Sequence, residues 1–358
     1  MKHSKETLLV SIFVWALALV VGLPALAQPF AYVTNFTDNN VSVINTASNM
    51  VVATVPVGMG PIAVAISPNG AFVYVANFTD NNVSVINTAS NMVVATVPVG
   101  MGPTAVAITP NGAFAYIANQ NSMDVSVIDT ASNTMVATAP VGSMPMGVAI
   151  TPNGDFAYVT NSTDGSVSVI DTDTNTVPTT VLLASLSGPM GVAITPNGDF
   201  AYVADSVSND VSVIDTDNNM LTTTVPVGGS PSAVAITPNG AFAYVTIFDG
   251  SVSVIDTAIN RVVATVTVGI GPLGVAITPD GASAYVADSV SNDVSVIDTD
   301  NNMPTTTVPV GVGPSAVAIT PPASCRETEQ RGDGHHHEKG NGGRDGRSHS
   351  CKPSGKED

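Results

Sequence analysis

Aspartate is almost the only ionisable side chain available to the folded part of this chain. Between Gln28 and Pro321 there are twenty aspartates, one arginine (Arg261), and no glutamate, lysine, histidine or cysteine. General acid–base chemistry in that stretch therefore rests on Asp and Tyr. A serine–histidine–aspartate triad has no histidine to accept the serine proton. Imidazole- or thiolate-bound transition metals have no ligands there. The remaining pattern is oxygen-only. Loops such as NFTDNN, NSTDG and DSVSND carry Asp38, Asp80, Asp124, Asp164, Asp205, Asp249 and Asp288, with Asp210 and Asp293 beside two of them. Such loops suit calcium better than soft metals. They also read as ordinary turns, because Asp, Asn and Gly are turn formers. Asp171 to Asn175, Asp215 to Asn219 and Asp298 to Asn302 approach a calcium-loop spacing, but the glycine and distal glutamate of that motif are missing.

The elements that must position these residues are repeats. Tyr32, Tyr74, Tyr116, Tyr158, Tyr202, Tyr244 and Tyr285 are the only tyrosines, and they fall 41 to 44 residues apart. Each begins a unit of four short runs: an AYVTN-like run, VSVI(D/N)T, a Thr/Val-rich run such as VVATV, and VAI(T/S)P. Runs of Val, Ile, Ala and Thr bounded by Gly, Pro, Asn and Asp predict strands. PNG or PDG after VAI(T/S) predicts a tight turn with glycine in the left-handed position. Four strands per unit of about 40–45 residues is the pattern of a β-propeller blade. The expected fold is all-β, a seven-bladed propeller of four-stranded blades. The first unit lacks a VAIT strand before it and the last has a spare one. The ring is thus expected to close by pairing the C-terminal strand with the N-terminal strands. The strands read as buried on both faces. The second-to-third-strand loops then share a rim with the blade-to-blade linkers, where clustered acids raise local cation concentration. Near-identical blades, such as residues 32–70 and 74–112, argue for a scaffold rather than an asymmetric pocket.

The AYVTN and VAITPNG strings resemble those of the YVTN-repeat β-propellers, found in bacterial and archaeal periplasmic, surface-layer and secreted proteins. The resemblance spans roughly Pro29 to Pro321. Some propellers of this kind are thought to bind DNA, but a stretch with twenty aspartates and one arginine lacks the cations that would displace phosphate counterions. Related seven-bladed lactonases and antibiotic lyases generally use Glu, His or Arg around the axis, and residues 28–321 hold none of these but Arg261. WD repeats match poorly, since the single tryptophan is Trp15.

Residues 1–27 read as a signal peptide: Lys2 and Lys5, an apolar stretch from Leu8 to Leu23, and Ala25-Leu26-Ala27 for cleavage. Residues 28–321 are the propeller. Residues 322–358, rich in Gly, His and charge, read as a disordered tail. In the tail His335, His336, His337 and His349 are candidate metal ligands whose spacing matches no ordered zinc-site pattern, and Cys325 with Cys351 is a disulfide candidate. Arg331-Gly332-Asp333 reads as a chance tripeptide.

The sequence leads to an exported monomer, periplasmic, cell-surface or extracellular, with no transmembrane segment after cleavage. Its expected role is a non-enzymatic scaffold presenting an acidic loop face to an envelope or surface protein or a polysaccharide. A calcium-dependent adhesion module and a lactonase-like hydrolase with Asp as base are the alternatives. No cofactor is expected apart from calcium.

Overall fold

The computed structural model describes residues 29–183 and 187–322. The leader and the tail candidates His335, His336, His337, His349, Cys325 and Cys351 lie outside the described residues. Those described form seven four-stranded antiparallel sheets. One blade shows the plan: β4 (Pro61–Ile66), β5 (Phe72–Asn77), β6 (Asn82–Asn87) and β7 (Met92–Pro98), hydrogen-bonded in that order. The VAI(T/S) strand is innermost and touches the inner strands of the neighbouring blades. Small residues there answer crowding near the axis. A Cβ added at Gly147 would lie 2.5 Å from the Met190 carbonyl oxygen.

Ring closure is as expected. β28 (Pro314–Ile319) pairs with β1 (Phe30–Asn35), which continues into β2 (Asn40–Asn45) and β3 (Met50–Pro56). Tyr32 faces Ala318 across this seam. The Ser315 hydroxyl lies 2.8 Å from that of Thr34 and 3.1 Å from the Pro61 carbonyl oxygen, tying the closing blade to the next. Pairing the two termini removes open edges at the inner side of the ring.

Burial differs along each blade. The second and third strands are buried on both faces, whereas the outermost strand, MVVATVP in two blades, is largely exposed. The expectation of burial on both faces therefore fails for the outermost strand, because nothing packs outside it. A register shift against its neighbour recurs there, as at Val43/Ile44 and Val85/Ile86. Bulges twist an exposed edge away from further pairing.

The tyrosines staple neighbouring blades. Each ring is buried, and each hydroxyl donates to an asparagine in the next blade's third-to-fourth-strand turn. Tyr158 reaches Asn219 at 2.6 Å, and Tyr285 crosses the closure to Asn49 at 2.5 Å. The receiving asparagines, such as Asn49 and Asn219, have φ of 51° and 57°. This left-handed conformation suits Asn better than most residues. Burial is the main cause that pushes the Tyr158 hydroxyl up to about 12, so it stays a donor at any ordinary pH. Tyr158→Phe should cost about 1 kcal/mol in urea unfolding, the net worth of one such bond.

Candidate functional site

The rim predicted for the aspartates is real, since the second-to-third-strand loops meet the blade linkers. Three aspartates act there as braces between chain segments. Oδ2 of Asp38 accepts the Val312 amide at 2.8 Å, that of Asp80 the Met59 amide at 2.7 Å, and that of Asp164 the Ser143 amide at 2.7 Å. Asp249 accepts the Ser251 hydroxyl within its own loop. Asp124 opens β10 (Asp124–Asp129) and accepts the Asn119 side-chain amide at 2.7 Å. The structure does not gather these residues around one centre. Among the described residues no group of three or more His, Cys, Asp or Glu is placed to hold a metal ion.

Asp205 and Asp288 stand apart. The sequence reading put them in loops; they are instead the last residues of β17 (Phe200–Asp205) and β25 (Ser283–Asp288), and both are fully buried. Four other blades have asparagine at this position: Asn35, Asn77, Asn119 and Asn161. In all four the amide donates forward five and seven residues. Asn119 Nδ2, for example, reaches Asp124 at 2.7 Å and the Ser126 hydroxyl at 2.9 Å. Aspartate keeps the shape and removes the donor. It also faces a second acid at the forward position, Asp210 or Asp293.

The electrostatic consequence is large. Burial pushes Asp205 from the usual 3.8 up to about 7; Asp210 adds to the shift, and the Ser212 and Ser187 hydroxyls oppose it. Burial likewise brings Asp288 to about 6, with Ser295 opposing and Asp293 adding. Asp293 is itself raised by burial. Asp288 Oδ2 accepts the Ser295 hydroxyl at 2.7 Å and amide at 3.2 Å, while Oδ1 has no hydrogen-bond partner. Oδ2 is held in place, and the Gly269 backbone and the neighbouring Asp293 carboxyl also lie within hydrogen-bonding reach of the Asp288 carboxyl. A buried carboxyl with a near-neutral pKa suits general-base chemistry, and the sequence reading missed it. The available signal was AYVAD where other blades end in AYVTN or AYIAN.

Around the same rim, Phe36, Met101, Val207, Phe248 and Val290 are exposed. The opposite face carries a cavity of about 280 Å3 between blades, lined by Thr195, Phe200, Tyr202 and Asn239 among others, which contains neither Asp205 nor Asp288. Arg261 is the first residue of β23 (Arg261–Thr267) and begins on that opposite side. Among the described residues no helix is long and apolar enough to cross a membrane.

Comparison with known proteins corrects one expectation. The family model "Lactonase, 7-bladed beta-propeller" matches residues 27–144. A candidate 6-phosphogluconolactonase from Bacteroides fragilis is similar in fold, with TM-score 0.69, 18% identity, and 82% and 98% of the two chains covered. A protein of unknown function from Desulfotomaculum acetoxidans aligns with TM-score 0.74 and 20% identity over 82% and 99%. The hydrazine synthase of Kuenenia stuttgartiensis aligns with TM-score 0.67 and 24% identity over 72% and 88%. No curated protein matches the chain. The lactonase match overturns the expectation of a non-enzymatic scaffold. That expectation rested on near-identical blades and on the missing His, Cys, Glu and Lys, and it did not weigh that burial raises the Asp205 and Asp288 carboxyls. The model "YNCE-like beta-propeller" matches residues 103–284, just over half of the sequence: the chain belongs to the YNCE-like beta-propeller family.

Proposed function

We propose that the chain is a lactonase-like hydrolase that opens an uncharged lactone ring with Asp288 as general base. The lactonase family match over residues 27–144 carries the lactonase part of this reading, and the buried carboxyl of Asp288, outside that stretch, supports its choice as base. Within it, Ser295 fixes Asp288 Oδ2, and Oδ1 removes a proton from water as the water oxygen bonds to the acyl carbon. The ring C–O bond then breaks, and its oxygen takes the proton back from Oδ1. The product is a hydroxy acid, and the carboxylate is regenerated. Because Asp288 is buried, contact with the substrate runs through that water.

Charge narrows the substrate class. With Arg261 as the single cation between Gln28 and Pro321, a phosphorylated sugar lactone would meet a strongly acidic propeller without a phosphate clamp. A neutral lactone avoids that repulsion, and the apolar rim residues offer contacts for a ring or short acyl chain. The AYVTN strands at Ala31–Asn35 and Ala157–Asn161 further support placing the chain with the YVTN-repeat propellers, and the Lys2-to-Ala27 leader supports export.

The test is hydrolysis of neutral five- and six-membered lactones by the full chain, followed by acid release. Turnover above the buffer rate that favours uncharged over phosphorylated lactones is expected. No turnover on any lactone would remove the proposal.

A further inference from the structure

We propose that Asp205, Asp210, Ser187 and Ser212 form a buried calcium site, separate from Asp288 and independent of the hydrolase reading. The two Asp-bearing blades are nearly the same in sequence. Residues 204–228 and 287–311 differ at one position, Leu221 against Pro304. Their buried acids nevertheless behave differently. At Asp288 the serine seven residues on closes to 2.7 Å. At Asp205 neither carboxylate oxygen has a hydrogen-bond partner, and neither do the hydroxyls of Ser212 and Ser187, although both lie close enough to favour its charged form. Asp205 and Ser187 are 0% exposed and Ser212 is 1% exposed.

The reason lies in the linker. The spacing from Tyr158 to Tyr202 is 44 residues, against 42 in the blades before it, and Ser187 falls in this longer linker, where four other blades carry Gly-x-Gly. The preceding linkers leave no room: a Cβ at Gly58 would lie 2.6 Å from Asn77 Nδ2. Ser187, which stands where Met59 does in the second blade, thus lies beside Asp205.

The asparagine blades also leave one buried acceptor each, such as Asn77 Oδ1. A neutral amide oxygen is satisfied by a single water. Asp205 with Asp210 is different, because two carboxylates pair across the strands, the partly buried Asp210 accepting the Ser208 hydroxyl at 2.7 Å, with no cation from the protein; Arg261 begins on the opposite face. Leaving a buried charge uncompensated is costly, so the compensation must come from outside the chain. Two carboxylates and two hydroxyls are an all-oxygen set of irregular shape. Calcium accepts such sets with six to eight oxygens, whereas magnesium demands near-ideal octahedral geometry. So few charged ligands place the affinity with weak extracellular calcium modules, about 10⁻⁴ to 10⁻³ M.

The experiment is thermal unfolding of the full chain at pH 8 with chelator and with calcium up to about 10 mM, together with equilibrium binding of calcium alone. Wild type should gain about 5 °C and bind one calcium strongly enough to saturate in this range. Asp205→Asn restores the amide that Asn119 uses. It should raise the calcium-free melting temperature and abolish the calcium response, so loss of binding cannot be confused with failure to fold. Ser212→Ala should weaken the response, and Asp288→Asn should retain it. Absence of a calcium response in wild type, with stability instead rising as pH falls below 7, would show that a proton fills the role and overturn the proposal. A response surviving in Asp205→Asn would assign calcium to the outer rim and overturn it equally.

Discussion

Asp288→Asn is expected to lower lactone hydrolysis about 10²–10⁴-fold, the usual contribution of a general base, while leaving a more stable propeller. The stability gain follows from the blade that already has this arrangement. Asn119 donates to Asp124 and Ser126, and the amide introduced by Asp288→Asn would find Asp293 and Ser295 at the same offsets. It also follows from proton linkage. Asp288 binds its proton with a pKa of about 6 when folded, against 3.8 for an ordinary aspartate. The folded state therefore holds more protons than the unfolded state over that interval. The contribution is fully present below pH 3.8 and is lost as pH rises through about 6. At pH 8 the wild-type charge is a liability of about 3 kcal/mol, which the neutral amide removes. Activity and stability moving in opposite directions would separate a lost base from a damaged fold. A variant that lost both would contradict this account of Asp288.

Gly191→Val is expected to destabilise the ring by about 3 kcal/mol. A Cβ at Gly191 would sit 2.8 Å from the Ala233 Cα and 2.8 Å from the Ser232 carbonyl oxygen. Both obstacles are backbone of the neighbouring inner strand, so neither can rotate aside. The strand must move outward, and the packing of Tyr202, Val213 and Val234 moves with it. Overpacking of this kind typically costs 1–3 kcal/mol, and β-branching places the effect at the upper end. Urea unfolding measures it. Gly229→Ala is the control, since the nearest atom to its Cβ is Asn209 Oδ1 at 4.0 Å, and it should change stability little.

The fold was legible because the same constraint is written seven times. Tyrosine spacing, PNG turns and the unmatched VAIT strand together imply blade number, strand order and closure. The staple from each tyrosine was not legible. Its asparagine lies 58 to 61 residues away in six blades and 236 away for Tyr285, beyond any local pattern. The exposed outer strands were misread for a similar reason, since VVATV has the same composition whether a neighbour covers it or not. At the candidate site, the sequence showed nine rim aspartates of equal standing. What separates Asp205 and Asp288 is register: they end their strands, whereas Asp38, Asp80 and Asp164 lie three residues past the strand end. Ending the strand instead of opening the loop buries the carboxylate beneath the linker. AYVAD beside AYIAN carries that information, but its meaning depends on the asparagine's partners, which emerge once the strands are paired.

The pH dependence of kcat/KM for lactone opening by the wild-type chain tests the central claim most directly, because it reports the pKa of the essential base in the free enzyme. The account predicts a rate that rises with pH through about 6 and then levels, the titration of Asp288. A profile whose rising limb lies near 4, or one without a limb between pH 5 and 8, would show that the water is activated by an exposed aspartate or by no carboxylate, and would contradict the assignment.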